Sequence, residues 1–188
     1  MNAMPPAVLS EDRRQLLELM PRGALCTEIG VWKAEFSAHI DRFTNPSRLV
    51  LIDPWAFQPD FPHRMFGGSV AKAQADMDAI YHDVCQKMGK KHIQIVRKTS
   101  QDAVDDFPDH TFDWVYIDGN HYYDYVRQDL ESWLPKVKPG GFLTGDDYLW
   151  RDENGVSSVA AAVSDFLAHT PCPAATSIGN QFIITKAS

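Results

Sequence analysis

Apolar residues recur along this chain in two alternating rhythms. Five short, mostly apolar runs have the length and β-branched or aromatic content of buried strands: ALCTEI (24–29), SRLVLID (47–53), HIQIVR (92–97), FDWVYI (112–117) and FLTG (142–145). Between them lie stretches whose apolar positions recur every three or four residues, as on one face of a helix: 9–20, 33–43, 70–88 and 122–134, with a shorter helix or turn at 100–107. Ser10 stands where the first helix needs an N-cap, Pro21 and Gly23 stop it, and Gly89 is placed to close the 70–88 helix. A further helix is expected over 156–169. Two short strands, 173–178 and 181–186, meet at Gly179-Asn180, a two-residue hairpin turn.

Strands alternating with helices imply parallel pairing, because a parallel pair needs a crossover. The spacing therefore predicts an α/β fold. Seven strands form a mostly parallel, Rossmann-like sheet with a C-terminal antiparallel hairpin and helices on both faces. A length of 188 residues fits one domain over 1–188, with 1–8 a frayed tail. The pattern breaks at 54–69, PWAFQPDFPHRMFGGS, where three prolines, two adjacent glycines and four large aromatics read as a lid loop.

Charge and cysteine usage narrow the partners. A net charge of −7 with no Lys/Arg run argues against a nucleic-acid footprint. No apolar stretch is long enough to span a bilayer, and the N-terminus lacks a basic segment followed by an apolar run, so neither a membrane nor a signal peptide is expected. Cys26, Cys85 and Cys172 are far apart and form no CxxC or zinc spacing, which points to reduced thiols in a cytoplasmic protein.

The candidate chemistry lies at the strand ends. FDWVYI ends at Asp118 and FLTG at Asp146 and Asp147, and parallel strands bring all three carboxylates to one sheet edge. Converging carboxylates need a proton or a cation between them, and hard oxygen ligands suit Mg²⁺, Mn²⁺ or Ca²⁺. His121, three residues after Asp118, is a candidate general base for a hydroxyl. At the first strand's end, Glu28-Ile-Gly30 lacks the GxGxxG of a phosphate cradle. Its carboxylate suits an ammonium group, and Asp53, closing the second strand, suits a ribose diol. The first half therefore asks for a cationic nucleoside such as S-adenosylmethionine.

These residues resemble the class I S-adenosylmethionine-dependent methyltransferases, and in particular the metal-dependent small-molecule O-methyltransferases of the catechol and macrolide-sugar type. EIGVWKAEFS is similar to the family's E-x-G-x-x-x-G motif and LVLIDPW to its acidic second motif; FDWVYIDGNHYY and KVKPGGFLTGDDY match the two later strands. The resemblance spans about 22–186. It implies that Glu28 and Gly30 contact the methionine part of the cofactor, Asp53 the ribose, and Ser100 and Gln101 the adenine. It also implies a divalent ion, Mg²⁺ by preference, at Asp118, Asp146 and Asp147. Asp118 then counts with the cofactor contacts and, with His121, with the catalytic residues; the catechol enzymes carry a lysine base where this chain has His121. The chain departs from the motif at Ala34, where the last glycine usually stands, and its N-terminal extension is short. The segment 54–69, or a second copy in a homo-oligomer, would then cover a small hydroxylated acceptor. Three other readings stay open: a non-catalytic module binding the cofactor or a nucleoside, a metal-independent methyltransferase using His121 as base, and a nicotinamide oxidoreductase disfavoured by the missing glycines.

Overall fold

The structure is a computed structural model that describes residues 8–152, 154–171 and 174–188. Its strands are β1 (Leu25–Ile29), β2 (Arg48–Ile52), β3 (Ile93–Val96), β4 (Phe112–Ile117), β5 (Val137–Gly145), β6 (Ala174–Ile178) and β7 (Gln181–Thr185). The helices are α1 (Glu11–Leu19), α2 (Glu35–Thr44), α3 (Gln74–Met88), α4 (Ser100–Val104), α5 (Tyr123–Trp133) and α6 (Ser158–His169). The strands form one seven-stranded sheet in the order β3-β2-β1-β4-β5-β7-β6. The first five pair in parallel, and β7 runs antiparallel to both β5 and β6. This is the Rossmann-like sheet expected from the strand and helix rhythm. Most of the expected frayed tail, together with Cys172, lies outside the described residues.

The two-residue strand period divides the core. Leu49, Leu51, Trp114 and Tyr116 face one layer, packed with Leu16 of α1, Ile40 of α2 and Met77 and Val84 of α3. Their neighbours Val50, Ile52, Val115 and Ile117 face the other, with Leu130 and Trp133 of α5 and Phe166 of α6. A sheet buried on both faces needs near-continuous apolar strands, which is why these runs lack a polar alternation. The connections reverse direction between β1 and β4, and in open α/β sheets that switch point is where ligands bind.

Four local expectations change. β5 begins at Val137, well ahead of the FLTG run: Val137 pairs with Phe112 and Phe142 with Trp114, so the intervening residues form a bulge. Gly140, at φ +73°, and Gly141, whose Cβ would meet the Asp113 carbonyl at 2.4 Å, permit that bulge. α3 starts at Gln74, because 70–73 complete the preceding loop. Gly89 closes α3 at φ −69° rather than in the left-handed conformation of a glycine cap. Trp55, inside the expected lid, is fully buried core: its ring packs on Tyr81 at 5.1 Å and its indole N–H donates to the Trp32 carbonyl at 2.9 Å. The exposed residues of the segment begin at 59, interspersed with half-buried Phe61, Arg64 and Phe66, and the segment closes with a single π-helical turn, Met65–Ser69.

Candidate active site

A cavity of about 1020 Å³ opens at the C-terminal ends of β1, β2 and β4. The loop after β1 makes its floor. Gly30, at φ +88°, crosses so close to β4 that a Cβ there would sit 2.1 Å from the Asp118 carbonyl oxygen. Only glycine fits that crossing. The same loop carries Trp32 and Ala34 at positive φ, and Trp55 and Asp147 share that conformation. Four side-chain-bearing residues are thus held in the left-handed region around one edge, the kind of clustering found at ligand sites. Ala34 is buried at the α2 N-cap, so its methyl group is accommodated by the fold and does not line the cavity.

One group of residues lies beside the β1 loop. Glu28 is buried and accepts a hydrogen bond from the Ser37 hydroxyl. Burial pushes its carboxyl up to about 8, against the lowering effect of that hydroxyl. Asp53 accepts backbone N–H bonds from Val31 (3.0 Å), Trp32 (2.9 Å) and Trp55 (2.7 Å), so it also shapes the loop around Gly30. Burial raises its pKa and the three donors restrain it. Ser100 and Gln101 both donate to Oδ1 of Asp129, at 2.6 Å and 3.2 Å. Asp129 is a buried α5 residue lining the same cavity, with its pKa raised to about 6 by burial.

The second group lies at the ends of β4 and β5. The sheet brings Asp118, Asp146 and Asp147 to one edge, yet the chain uses them differently. Arg13 of α1 donates to Oδ2 of Asp118 at 2.7 Å and to Asp146. Its guanidinium also lies over the Phe36 ring, 4.6 Å from the centroid. Asp146 accepts a second bond from Gln181, which in turn accepts from Tyr116 at 2.8 Å. Gly145 precedes it because a Cβ there would strike the Phe182 ring at 2.4 Å. Asp147 instead turns to His121, with Oδ2 2.9 Å from Nδ1, while its Oδ1 accepts from the Asn180 amide at 2.9 Å. Nε2 of His121 faces Oδ1 of Asp118 at 3.4 Å and, though buried, has no hydrogen-bond partner among the described residues. Burial opposes a charged imidazole, but Asp118 and Asp147 outweigh it and raise His121 to about 9. Asp147 is held below the usual carboxylate range: burial opposes this, and His121 and Asn180 overcome it. Asp146 is raised by burial and by Asp118 beside it, and Arg13 pulls against both.

The donor atoms of Asp118, His121 and Asp147 can all lie within 4.8 Å of one another, so these three can share one ion. That grouping has His121 where the sequence reading has Asp146, whose oxygens face Arg13 and Gln181.

Residues 27–148, more than half of the chain, match the family model described as "Methyltransferase domain". The chain belongs to this methyltransferase domain family. Among solved structures, this methyltransferase is similar to a putative caffeoyl-CoA O-methyltransferase from Staphylococcus aureus (TM-score 0.64, 14% identity, 97% of this chain and 86% of that one). It is also similar to an O-methyltransferase from Bacillus cereus solved with SAH, S-adenosylhomocysteine (TM-score 0.63, 17% identity, 98% and 84%). At these identities the likeness is one of fold. The curated protein y4gI of Sinorhizobium fredii (strain NBRC 101917 / NGR234), described as uncharacterized, is 36% identical over 64 residues, 33% of this methyltransferase; the chain spans only 7% of that protein's length. The class I enzyme expected from the motif order is met by the family match and the fold. Among the described residues no helix is long and apolar enough to cross a membrane.

The motif reading did not include Arg13, Arg64, Asp129, Asn180 or Gln181 of the methyltransferase. Arg13 reaches Asp118 and Asp146 across 105 and 133 residues, which no local pattern records. Asn180 was legible only as a hairpin turn residue; its side chain proves to hold Asp147. Asp129 had one available sign, an acidic residue on the otherwise apolar face of α5.

Proposed function

We propose that this methyltransferase moves the methyl group of S-adenosylmethionine to a hydroxyl of a small molecule, with a divalent ion held by Asp118, His121 and Asp147. The donor half rests on Glu28, a buried carboxylate whose raised pKa is what a site waiting for an ammonium group should have. Asp53 beside the Gly30 loop suits the ribose, and Ser100 and Gln101, steadied by Asp129, suit the adenine. A cavity of about 1020 Å³ is at the upper end for a single small ligand, which leaves room for an acceptor beside the donor.

The metal assignment is carried by one observation: among the described residues the buried Nε2 of His121 has no hydrogen-bond partner, although two carboxylates flank the ring. An orphaned buried nitrogen costs free energy unless something occupies it. Two carboxylates and an imidazole fit a divalent ion with open positions, and the imidazole shifts the preference from Mg²⁺ toward Mn²⁺ or another first-row ion. Such an ion would act as a Lewis acid on the acceptor hydroxyl. The chain's own residues do the remainder. Glu28 and the Gly30 loop orient the sulfonium, Arg13 neutralises Asp118 and Asp146, and the exposed half of 54–69 limits water. The acceptor reacts as its oxyanion, its hydroxyl proton having gone to solvent; methyl transfer then forms the O–C bond as the C–S bond breaks in line, with its electron pair returning to sulfur.

A metal-independent reading, with His121 as base, draws on Arg13, which already supplies positive charge to two of the three aspartates. Formation of S-adenosylhomocysteine from S-adenosylmethionine over a panel of hydroxylated acceptors, with and without EDTA, separates the readings. Activity that survives EDTA removes the metal. Calorimetry with S-adenosylhomocysteine tests the donor site, and absence of binding at saturating concentration would remove that reading. Turnover of any acceptor excludes a merely binding module.

A further inference from the structure

Arg64 is a second cation at the acceptor side of the cavity, and it differs from Arg13 in having no carboxylate partner among the described residues. Its Nη2 lies 2.8 Å from Nδ1 of His121, and its guanidinium lies over the rings of Trp150 and Tyr122, 5.0 Å and 6.0 Å from their centroids. Among the described residues no acidic side chain lies within salt-bridge distance of it. The carboxylates that line the cavity near the acid cluster are engaged elsewhere: Asp118 and Asp146 by Arg13, Asp147 by His121 and Asn180, Asp129 by Ser100 and Gln101. A half-buried guanidinium with five donors and no anion beside it among the described residues is a costly residue to place at random.

The loop is built to place it. The Arg64 N–H donates to the Phe61 carbonyl at 2.9 Å, and the Arg64 carbonyl accepts from Gly67 and Ser69, each at 3.1 Å. Gly67 closes this turn with no room for a side chain: a Cβ would sit 2.1 Å from the Phe61 carbonyl oxygen. Phe61 itself packs on Tyr122 and Tyr125 at 5.8 Å and 6.0 Å, which docks the loop on the start of α5. The backbone at Arg64 is therefore fixed from both sides, and the stacked rings hold the side chain with N–H groups positioned to donate to a ligand oxygen.

The contact with His121 adds a geometric constraint. The same Nδ1 is approached by the Arg64 guanidinium at 2.8 Å and by the Asp147 carboxylate at 2.9 Å. One ring nitrogen cannot accept from the first and donate to the second together. Arg64 is the member of the pair that has another use to turn to.

We propose that Arg64 is the specificity residue for the acceptor, and that the acceptor carries a carboxylate close to the hydroxyl that is methylated. This rests on the methyltransferase reading of the same cavity. The hydroxyl points to the Asp118, His121 and Asp147 group, and the carboxylate pairs with Arg64, one imidazole ring away. Trp150, Met65, Phe66 and Tyr125 line the cavity beside it and suit an apolar, flat body between the two groups. Paired Arg–carboxylate hydrogen bonds fix both distance and plane, so they select among hydroxylated molecules by where the acid lies.

The test uses two acceptor-like probes that differ only in the acid, 2,3-dihydroxybenzoate and catechol. Each is titrated into the full-length protein saturated with S-adenosylhomocysteine, by calorimetry, for wild type, Arg64→Gln and Arg64→Lys. The wild type is expected to bind the benzoate about tenfold or more tightly than catechol, the size of one charge-assisted hydrogen-bond pair. Arg64→Gln is expected to erase that preference while its affinity for S-adenosylhomocysteine stays within about twofold, and Arg64→Lys to keep part of it. A preference that survives Arg64→Gln overturns the assignment, as does a wild type that binds catechol as tightly or binds neither probe. Failure of the wild type to bind S-adenosylhomocysteine overturns the donor site itself, and is read before either probe is added.

Discussion

At the scale of single residues, Glu28 makes the most direct statement about the ligand. Its carboxyl titrates at about 8 in the folded protein against an ordinary 4.5, because burial disfavours the charge more than the Ser37 hydroxyl relieves it. The folded state thus prefers the protonated form. That preference supports folding in full below about pH 4.5 and is lost as the pH rises through about 8. Glu28→Gln should therefore gain stability relative to wild type between urea titrations at pH 5 and pH 8.5, with little difference at the lower pH. The same variant should bind S-adenosylhomocysteine about tenfold or more weakly, having lost a charge-assisted bond to the ammonium. Equal pH slopes for the two proteins would show that Glu28 ionises freely. Asp146 and Asp147 give a second residue-level test. If the ion sits with Asp118, His121 and Asp147, then Asp147→Asn should lose Mn²⁺ binding by calorimetry and Asp146→Asn should keep it. Both aspartates stand at the end of FLTG in the sequence, and nothing in that run tells them apart. The left-handed turn at Asp147 and the reach of Arg13 separate their roles, and both depend on distant parts of the chain.

At the scale of elements, the surprise is α1. The periodicity of 9–20 foretold a helix and its apolar face, and Leu16 and Leu17 are indeed buried. Nothing in that periodicity gives Arg13 a role. Its contacts with Asp118 and Asp146 make α1 a structural part of the acid cluster. Replacing Arg13 by Met should leave two partly buried carboxylates without their cation. The expected cost is roughly 2–3 kcal/mol, below the 3–5 of a fully buried pair because Arg13 keeps a quarter of its side chain exposed. Urea unfolding at pH 7 measures it; an unchanged midpoint would mean that the ion pair contributes nothing to folding. The segment 54–69 carries the opposite lesson. Its prolines, glycines and aromatics read correctly as irregular chain, but composition could not show that Trp55 belongs to the core while Phe66 and Arg64 belong to the cavity wall. β5 is similar: Pro139 and two glycines spell a turn locally, and only pairing with β4 turns the segment into a bulged strand.

At the scale of the whole molecule, the fold was legible because a doubly buried sheet repeats its signal in every strand and crossover, whereas a site is specified by a few long-range contacts with no repeat. The same architecture ties ligand binding to global stability. The cavity is walled by β1, β2, β4, α5 and the 54–69 segment, and both core layers span several of those elements, so the site cannot come apart without opening the core. A ligand that binds only the folded state should then stabilise the whole chain. S-adenosylhomocysteine at about 100 times its dissociation constant adds roughly 2.7 kcal/mol, which for a chain of this length is a rise in melting temperature of about 5–10 °C. Arg64→Gln should show the full rise, since Arg64 lies on the acceptor side, and Glu28→Gln should show a smaller one at the same concentration. A rise lost in Arg64→Gln would mean that the 54–69 segment helps to form the donor site, since Arg64 is the residue of that segment being changed.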